Sequence, residues 1–150
     1  MSNHRSAHKA RLKALFEAVT FEGANLTVSD TYENNGVADP YLFIVSGGLT
    51  PNKTSESLYD WATYQRIYEY QIVAAFSYTE PSKEQEDRID ELEALITDLI
   101  QSRSFRNDAL AWQDVILSNV SEPFNPDPQT RDNLIYKVFT IQVETLTTID

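Results

Sequence analysis

The chain has 150 residues, 41% of them hydrophobic and 11% aromatic, which is ample for one packed domain and far from the composition of disordered chains. It contains no cysteine, so disulfide frameworks, thiolate metal sites and thiol nucleophiles are excluded. The net charge of −11 is uneven: Arg5, Lys9, Arg11 and Lys13 precede the first acid, Glu17, and the remaining 8 basic residues face 23 acidic ones, a balance of −15 that repels phosphate backbones over most of the surface.

The N-terminal MSNHRSAHKARLKALF lacks the apolar core of a secretory signal, and no apolar run is long enough to span a bilayer, so a cytoplasmic product is expected. Leu12, Leu15, Phe16 and Val19 recur at i, i+3, i+4 and i+7, which predicts a helix over about 5–19 with a basic outer side. Phe21, Gly23 and Asn25 break that pattern, and LTVSDTY (26–32) then alternates as a half-buried or edge strand does. ENNGVADP (33–40) is a dense turn cluster.

YLFIVSGG (41–48) is a continuous apolar run too short for a helix, expected as a central strand buried on both faces. GGLTPNKTSESLYD (47–60) is expected as a long polar loop, of a length usually kept for function or disorder. From Trp61 to Thr79 no proline or glycine occurs. The even positions Tyr64, Tyr68, Tyr70, Ile72, Ala74 and Phe76 are apolar, whereas the odd ones begin polar and turn apolar at Val73 and Ala75. This predicts a strand over about 61–79, covered on one face near its start and on both near its end, long enough to form an arm beyond the core.

YTEPSKEQEDRIDELEALITDLIQS (78–102) predicts a helix over about 82–101, with Ser82 as cap, acids near its positive end and an apolar stripe of Ile89, Leu92, Leu95, Ile96, Leu99 and Ile100. Two further strands follow, WQDVILSNV (112–120) and LIYKVFTIQVETL (134–146). The order of elements favours one α+β domain over 1–150, with a largely antiparallel sheet, two helices packed on one side and a long strand or hairpin arm.

Several arrangements carry chemistry in other proteins. Asp87, Asp90 and Glu91 place three carboxylates on one helical face, as a metal or acid/base cluster does, but they lie opposite the apolar stripe, where a solvated acidic face is the expectation. His4 and His8 are spaced i, i+4 like metal ligands, yet sit at a terminus expected to fray, with no acid nearby to complete the set. VSGGLTPNK (45–53) lacks the spacing of a phosphate-binding loop, and no GxSxG elbow is present. The glycosylation patterns at Asn25, Asn52 and Asn119 have no meaning without secretion. No catalytic residue, cofactor or metal is expected.

Surface contacts remain. Tyr59, Trp61 and Tyr64 at the foot of the arm, with Tyr68 and Tyr70 along it, belong to the types that carry interface energy, and equally to the types that fill sheets. Arg66, Lys53, Glu56, Arg5 and Lys9 are the charged candidates beside them.

In order, lengths and texture the chain resembles the tail terminator proteins of long-tailed bacteriophages, also called minor tail or tail-completion proteins. The resemblance runs from the basic helix RLKALFEAV through YLFIVSGG and the polar loop to the arm YQRIYEYQIVAAFSY, the acidic helix, the strand opening on Trp112 and LIYKVFTIQVETL. It implies a non-enzymatic virion protein that forms a ring, typically a homohexamer, at the head-proximal end of the tail tube. There it would stop tube polymerisation and meet the head-completion or neck proteins, with the tube protein on its other side. DNA would pass through such a ring without specific binding, and an acidic inner wall would repel it. The alternatives are a head-tail connector subunit and, from another class, a small α+β enzyme or ligand-binding domain that uses the acidic helix.

Overall fold

The computed structural model describes residues 4–29, 39–53, 63–77, 83–108, 112–126 and 134–148. Helix α1 (His4–Glu17) buries His8, Leu12 and Phe16, one residue per turn along a single face. It ends where Val19 N–H donates to the Phe16 carbonyl at 3.0 Å. Leu15 and Val19 are only partly buried against the core, so the stripe is narrower than their spacing suggests, and it begins earlier, at His8.

A hairpin follows that the sequence reading missed. Strands β1 (Thr20–Phe21) and β2 (Ala24–Asn25) pair antiparallel around Glu22 and Gly23, both at positive φ, 54° and 81°. Two positive φ values in a two-residue loop define the turn whose twist matches paired strands. Strand β3 (Thr27–Ser29) falls within the expected 26–32, of which 30–32 lie outside the described residues, and it pairs parallel with the start of β4, Thr27 opposite Tyr41 and Ser29 opposite Phe43.

Strand β4 (Tyr41–Lys53) overturns the expected loop from residue 47. It runs on past both glycines, antiparallel to β5 (Thr63–Ser77), with the register shifting between Ser46 and Leu49. Gly47-Gly48 therefore marks a bulge and not a strand exit. Pro51 is tolerated beyond it because β3 pairs only with residues 41–43, which leaves this stretch of β4 at the rim, where a missing N–H breaks no ladder. The remainder of the expected loop, 54–60, lies outside the described residues.

Strand β5 pairs along its whole length with β7 (Leu134–Thr148), from Thr63 opposite Thr148 to Ser77 opposite Leu134. Fifteen paired residues span about 50 Å. Strand β6 (Asp114–Val120) lies on the far side of β7, giving the order β3-β4-β5-β7-β6, antiparallel except for the first pair. The fold is α+β.

Helix α2 (Lys83–Ile100) buries Ile89, Leu92, Ile96 and Ile100, while Leu95, which the expected stripe included, is 36% exposed. A four-residue helix, α3 (Arg103–Arg106), turns the chain towards β6, and its Phe105 packs on Phe16 and Trp112. Trp112 Nε1 donates to the Phe105 carbonyl at 2.8 Å, which satisfies the indole in its buried position.

One core joins α1, α2 and α3 to the face of the sheet that carries Tyr68, Tyr70, Ile72, Ala74 and Phe76 of β5 and Phe139, Ile141 and Val143 of β7. All three helices thus share one side. On the opposite face, Tyr41, Phe43, Val73 and Ala75 form a second buried cluster with Val45, Tyr136 and Val138 against it. The change from polar to apolar among the odd residues of β5 matches this: the sheet is covered on both faces only at that end. No described helix is long and apolar enough to cross a membrane.

Candidate functional site

Three strands of unequal company make the arm. Beyond the pair Asp114–Glu144, where β6 ends, β4, β5 and β7 continue together to Lys53, Thr63 and Thr148. Two large apolar side chains stand exposed here, Leu49 at the base of the arm at 45% and Leu146 on the arm at 42%. They face opposite sides, since Leu49 lies opposite Tyr68 on the helix side and Leu146 opposite Gln65 on the other.

The base of the arm is clamped by α1. His8 is fully buried, with Nδ1 2.7 Å from the Tyr70 hydroxyl and Nε2 2.9 Å from Thr145 Oγ1. A neutral imidazole donates through one nitrogen and accepts through the other, and both hydroxyls can play either role, so the ring is satisfied in either tautomer. Tyr68 meets the ring edge-on at 5.0 Å between centroids, and Trp112 packs at 6.0 Å. Burial raises the Tyr70 phenol well above its ordinary value, an effect that the nearby Arg5 cation opposes and Tyr68 reinforces.

Arg5 completes the clamp. Its Nη2 donates to the carbonyls of Gly47 at 2.8 Å and Gly48 at 3.1 Å, and its Nη1 to the Glu69 carbonyl at 3.4 Å. The guanidinium also lies 5.2 Å and 5.3 Å from the ring centres of Tyr68 and Tyr70. The bulge thus presents carbonyl oxygens that the ladder does not use, and a planar cation occupies them. A side chain at Gly47 would obstruct this join, because an added Cβ would lie 2.6 Å from Glu69 Oε2 and 3.0 Å from its Cγ.

Several predicted contact residues change character. Tyr68 and Tyr70 are 5% and 0% exposed and belong to the core, a correction that follows from the even face of β5 being the one α1 covers. Arg5 is engaged at the bulge. Arg66 is half-buried on the helix side of the arm, opposite Pro51 and Thr145, and Lys9 is half-buried on α1. Lys53 and Tyr64 are placed opposite one another in the β4–β5 ladder. Glu56, Tyr59 and Trp61 lie outside the described residues.

The expected fraying at His4 and His8 is likewise corrected: α1 begins at His4 and His8 is among its most buried residues. The i, i+4 rings stack 6.1 Å apart, but both nitrogens of His8 are already turned to hydroxyls. Among the described residues, no group of three or more His, Asp or Glu is placed to hold a metal. Asp87, Asp90 and Glu91 are exposed on the outer side of α2.

Ion pairs fix the helices to the sheet. Lys137, buried on β7, meets Glu93 of α2 at 2.9 Å, and Arg11 of α1 meets the buried Asp108 at 2.6 Å. Arg88 reaches Glu22 at 2.7 Å and Asp39 at 3.6 Å, tying α2 to the β1–β2 hairpin. Burial alone would lower the Arg88 pKa, and the hydrogen bond to Glu22 with the two carboxylates outweighs it and raises it.

A second feature was not foreseen. An open depression of about 310 Å³ lies where α2 passes into α3 and β6 begins, lined by Gln101, Arg103, Arg106, Asn107, Gln113 and Asp114. Ser102 caps α3 by accepting from the Phe105 N–H at 3.4 Å, and its hydroxyl donates back to the Leu99 carbonyl of α2 at 2.6 Å. Arg106 is held by Asp114 through Nε at 3.1 Å and Nη2 at 3.3 Å, and the hydrogen bond to that carboxylate raises its pKa. The only trace in the sequence is the pair Arg103 and Arg106 at i, i+3 after a serine, too short a pattern to carry a helix assignment.

Comparison with protein-family models finds no match for the chain, and comparison with curated proteins finds none either.

Proposed function

We propose that the chain is a structural subunit of a phage virion, forming a ring at the head-proximal end of the tail tube that terminates the tube and offers a surface for head joining. The observation that carries this reading is the arm: a fully paired three-strand extension, clamped at its base by a cation on a bulge and by a buried imidazole. Such a rigid projection suits a contact between subunits, since little ordering entropy is lost when it docks. The exposed carboxylates of α2 support a non-enzymatic role, because solvated, dispersed acids lack the environment that tunes catalytic groups.

The test is native mass spectrometry with light scattering across a range of concentrations, followed by addition of the cognate tube protein. A closed oligomer that caps tube ends is expected. A monomer at every concentration would overturn the proposal, and an oligomer that binds only a head-side partner would move the chain to the connector alternative.

A further inference from the structure

The two rims of the sheet carry devices that blunt strand addition over part of their length, while β7 beyond Glu144 keeps an edge that β6 does not cover. Along β4, Arg5 occupies the carbonyls of the bulge and Pro51 offers no N–H. Along β6, the register breaks between Leu117 and Asn119, and Val115 N–H is taken by Asp114 Oδ1 at 2.8 Å. Bulges, proline and charged side chains are the devices that keep edges from pairing. These devices disfavour strand pairing between copies at those positions, which leaves side-chain surfaces for a contact there.

Charge restricts which surfaces. Two copies at −11 each repel, so a stable contact must set cations of one against acids of the other. Among the described cations, Arg11, Lys13, Arg88, Arg106 and Lys137 sit in ion pairs, Arg5 is held at the bulge, Lys9 and Arg66 are half-buried, and the exposed Lys83 stands beside Glu84 at the acidic end of α2. Arg103 is exposed and, among the described residues, has no carboxylate within ion-pair distance. It stands in the depression among three side-chain amides, with Arg106 one turn away.

At the other end of the same rod lie the acids. Glu84, Asp87 and Glu91 recur at helical spacing on the exposed face of α2, whereas the depression opens immediately after Ile100. We infer that the arginine depression of one copy receives the acidic face of α2 from the next. Donor and acceptor surfaces differ, so the contact is head-to-tail and repeats around a closed assembly. This deepens the ring reading and rests on it, by naming the surfaces that join.

The experiment uses two full-length variants, Arg103→Glu and the double change Asp87→Lys with Glu91→Lys, all at exposed positions and checked first for unchanged melting. Wild type is expected to assemble, and each variant alone to require at least about tenfold more protein to do so, with the difference shrinking at high salt. Mixing the two variants sets the changed depression against the changed helix face and the unchanged depression against the unchanged one, so both junctions are complementary and the mixture should assemble with the two variants alternating. Combining all three changes in one chain should restore self-assembly with the polarity reversed. Wild-type assembly together with unaltered assembly of both variants would overturn the inference while leaving the ring standing. A wild type that stays monomeric would overturn the ring itself.

Discussion

Removing the Arg5 guanidinium tests the clamp directly. In Arg5→Ala the bulge loses a charge-assisted bond to the Gly47 carbonyl at 2.8 Å, a second, exposed one to Gly48 at 3.1 Å, and the cation over Tyr68 and Tyr70. A hydrogen bond to a charged group contributes about 1.5–3 kcal/mol when buried and less at a partly exposed site, and a cation–π contact about 0.5–1 kcal/mol. The 3.4 Å contact to Glu69 is too long to add much. A loss of about 2–3 kcal/mol follows, or a melting shift of roughly 5–10 °C for a chain of this size. Urea denaturation followed by fluorescence measures the first, and hydrogen exchange should show faster exchange of amides along residues 46–50 and 67–70. Arg5→Lys should recover less than half, because an ammonium cannot fork across two carbonyls. A loss below about 0.5 kcal/mol, with unchanged exchange at those amides, would refute the view that α1 clamps the arm.

Tyr70 supplies a pH test. Its folded pKa lies above the unfolded value of about 10, so the folded state holds the proton more tightly; stability is level below pH 10 and falls above it by about 1.4 kcal/mol per pH unit from this residue. Tyr70→Phe should weaken the protein by about 1–3 kcal/mol at neutral pH, since a ring nitrogen of His8 loses its partner, and should flatten the alkaline slope seen in denaturation series from pH 9 to 11. The two glycines should separate cleanly in thermal melts: Gly47→Ala is expected to cost about 1–3 kcal/mol through contact with Glu69, and Gly48→Ala, with nothing within 4 Å of its added Cβ, to be neutral or slightly stabilising. For the α2–β7 pair, Glu93→Ala leaves the buried Lys137 ammonium without that carboxylate and should cost about 1–2 kcal/mol, discounted for the partial exposure of Glu93, while Lys137→Met should stay within about 1 kcal/mol by chemical denaturation.

How much of this was legible in the chain depends on the range over which each signal acts. The helix Lys83–Ile100 and the strand Thr63–Ser77 announce themselves through periodicity over fifteen or more residues, and both fall within one or two residues of their expected limits. Even the two-sided burial at Val73 and Ala75 was written in the alternation of β5. Gly47-Gly48 misled because a glycine pair before a proline has the same local appearance whether the strand ends or bulges; only the presence of β5 opposite decides it. The β1–β2 hairpin was missed because its turn uses glutamate at a positive φ, a position where Asn, Asp or Gly is the usual signal.

His8 shows the limit most plainly. Four residues from the start of the described chain and set between Ala7 and Lys9, it reads as a solvated terminal side chain. What buries it is Tyr70 and Thr145, 62 and 137 positions away, and no window along the sequence contains all three. The same separation explains why the tyrosines of the arm could be read either as contact residues or as core. Their face is set by where α1 lies, and α1 is placed by Arg5 finding a bulge that is itself created by pairing with β5. Each step in that chain is long-range, so the candidate site was the part of the molecule least open to inspection from local patterns. By the same logic, with Tyr68 and Tyr70 inside, the large apolar side chains left exposed are Leu49 at the base of the arm and Leu146 along it, on opposite faces of the sheet.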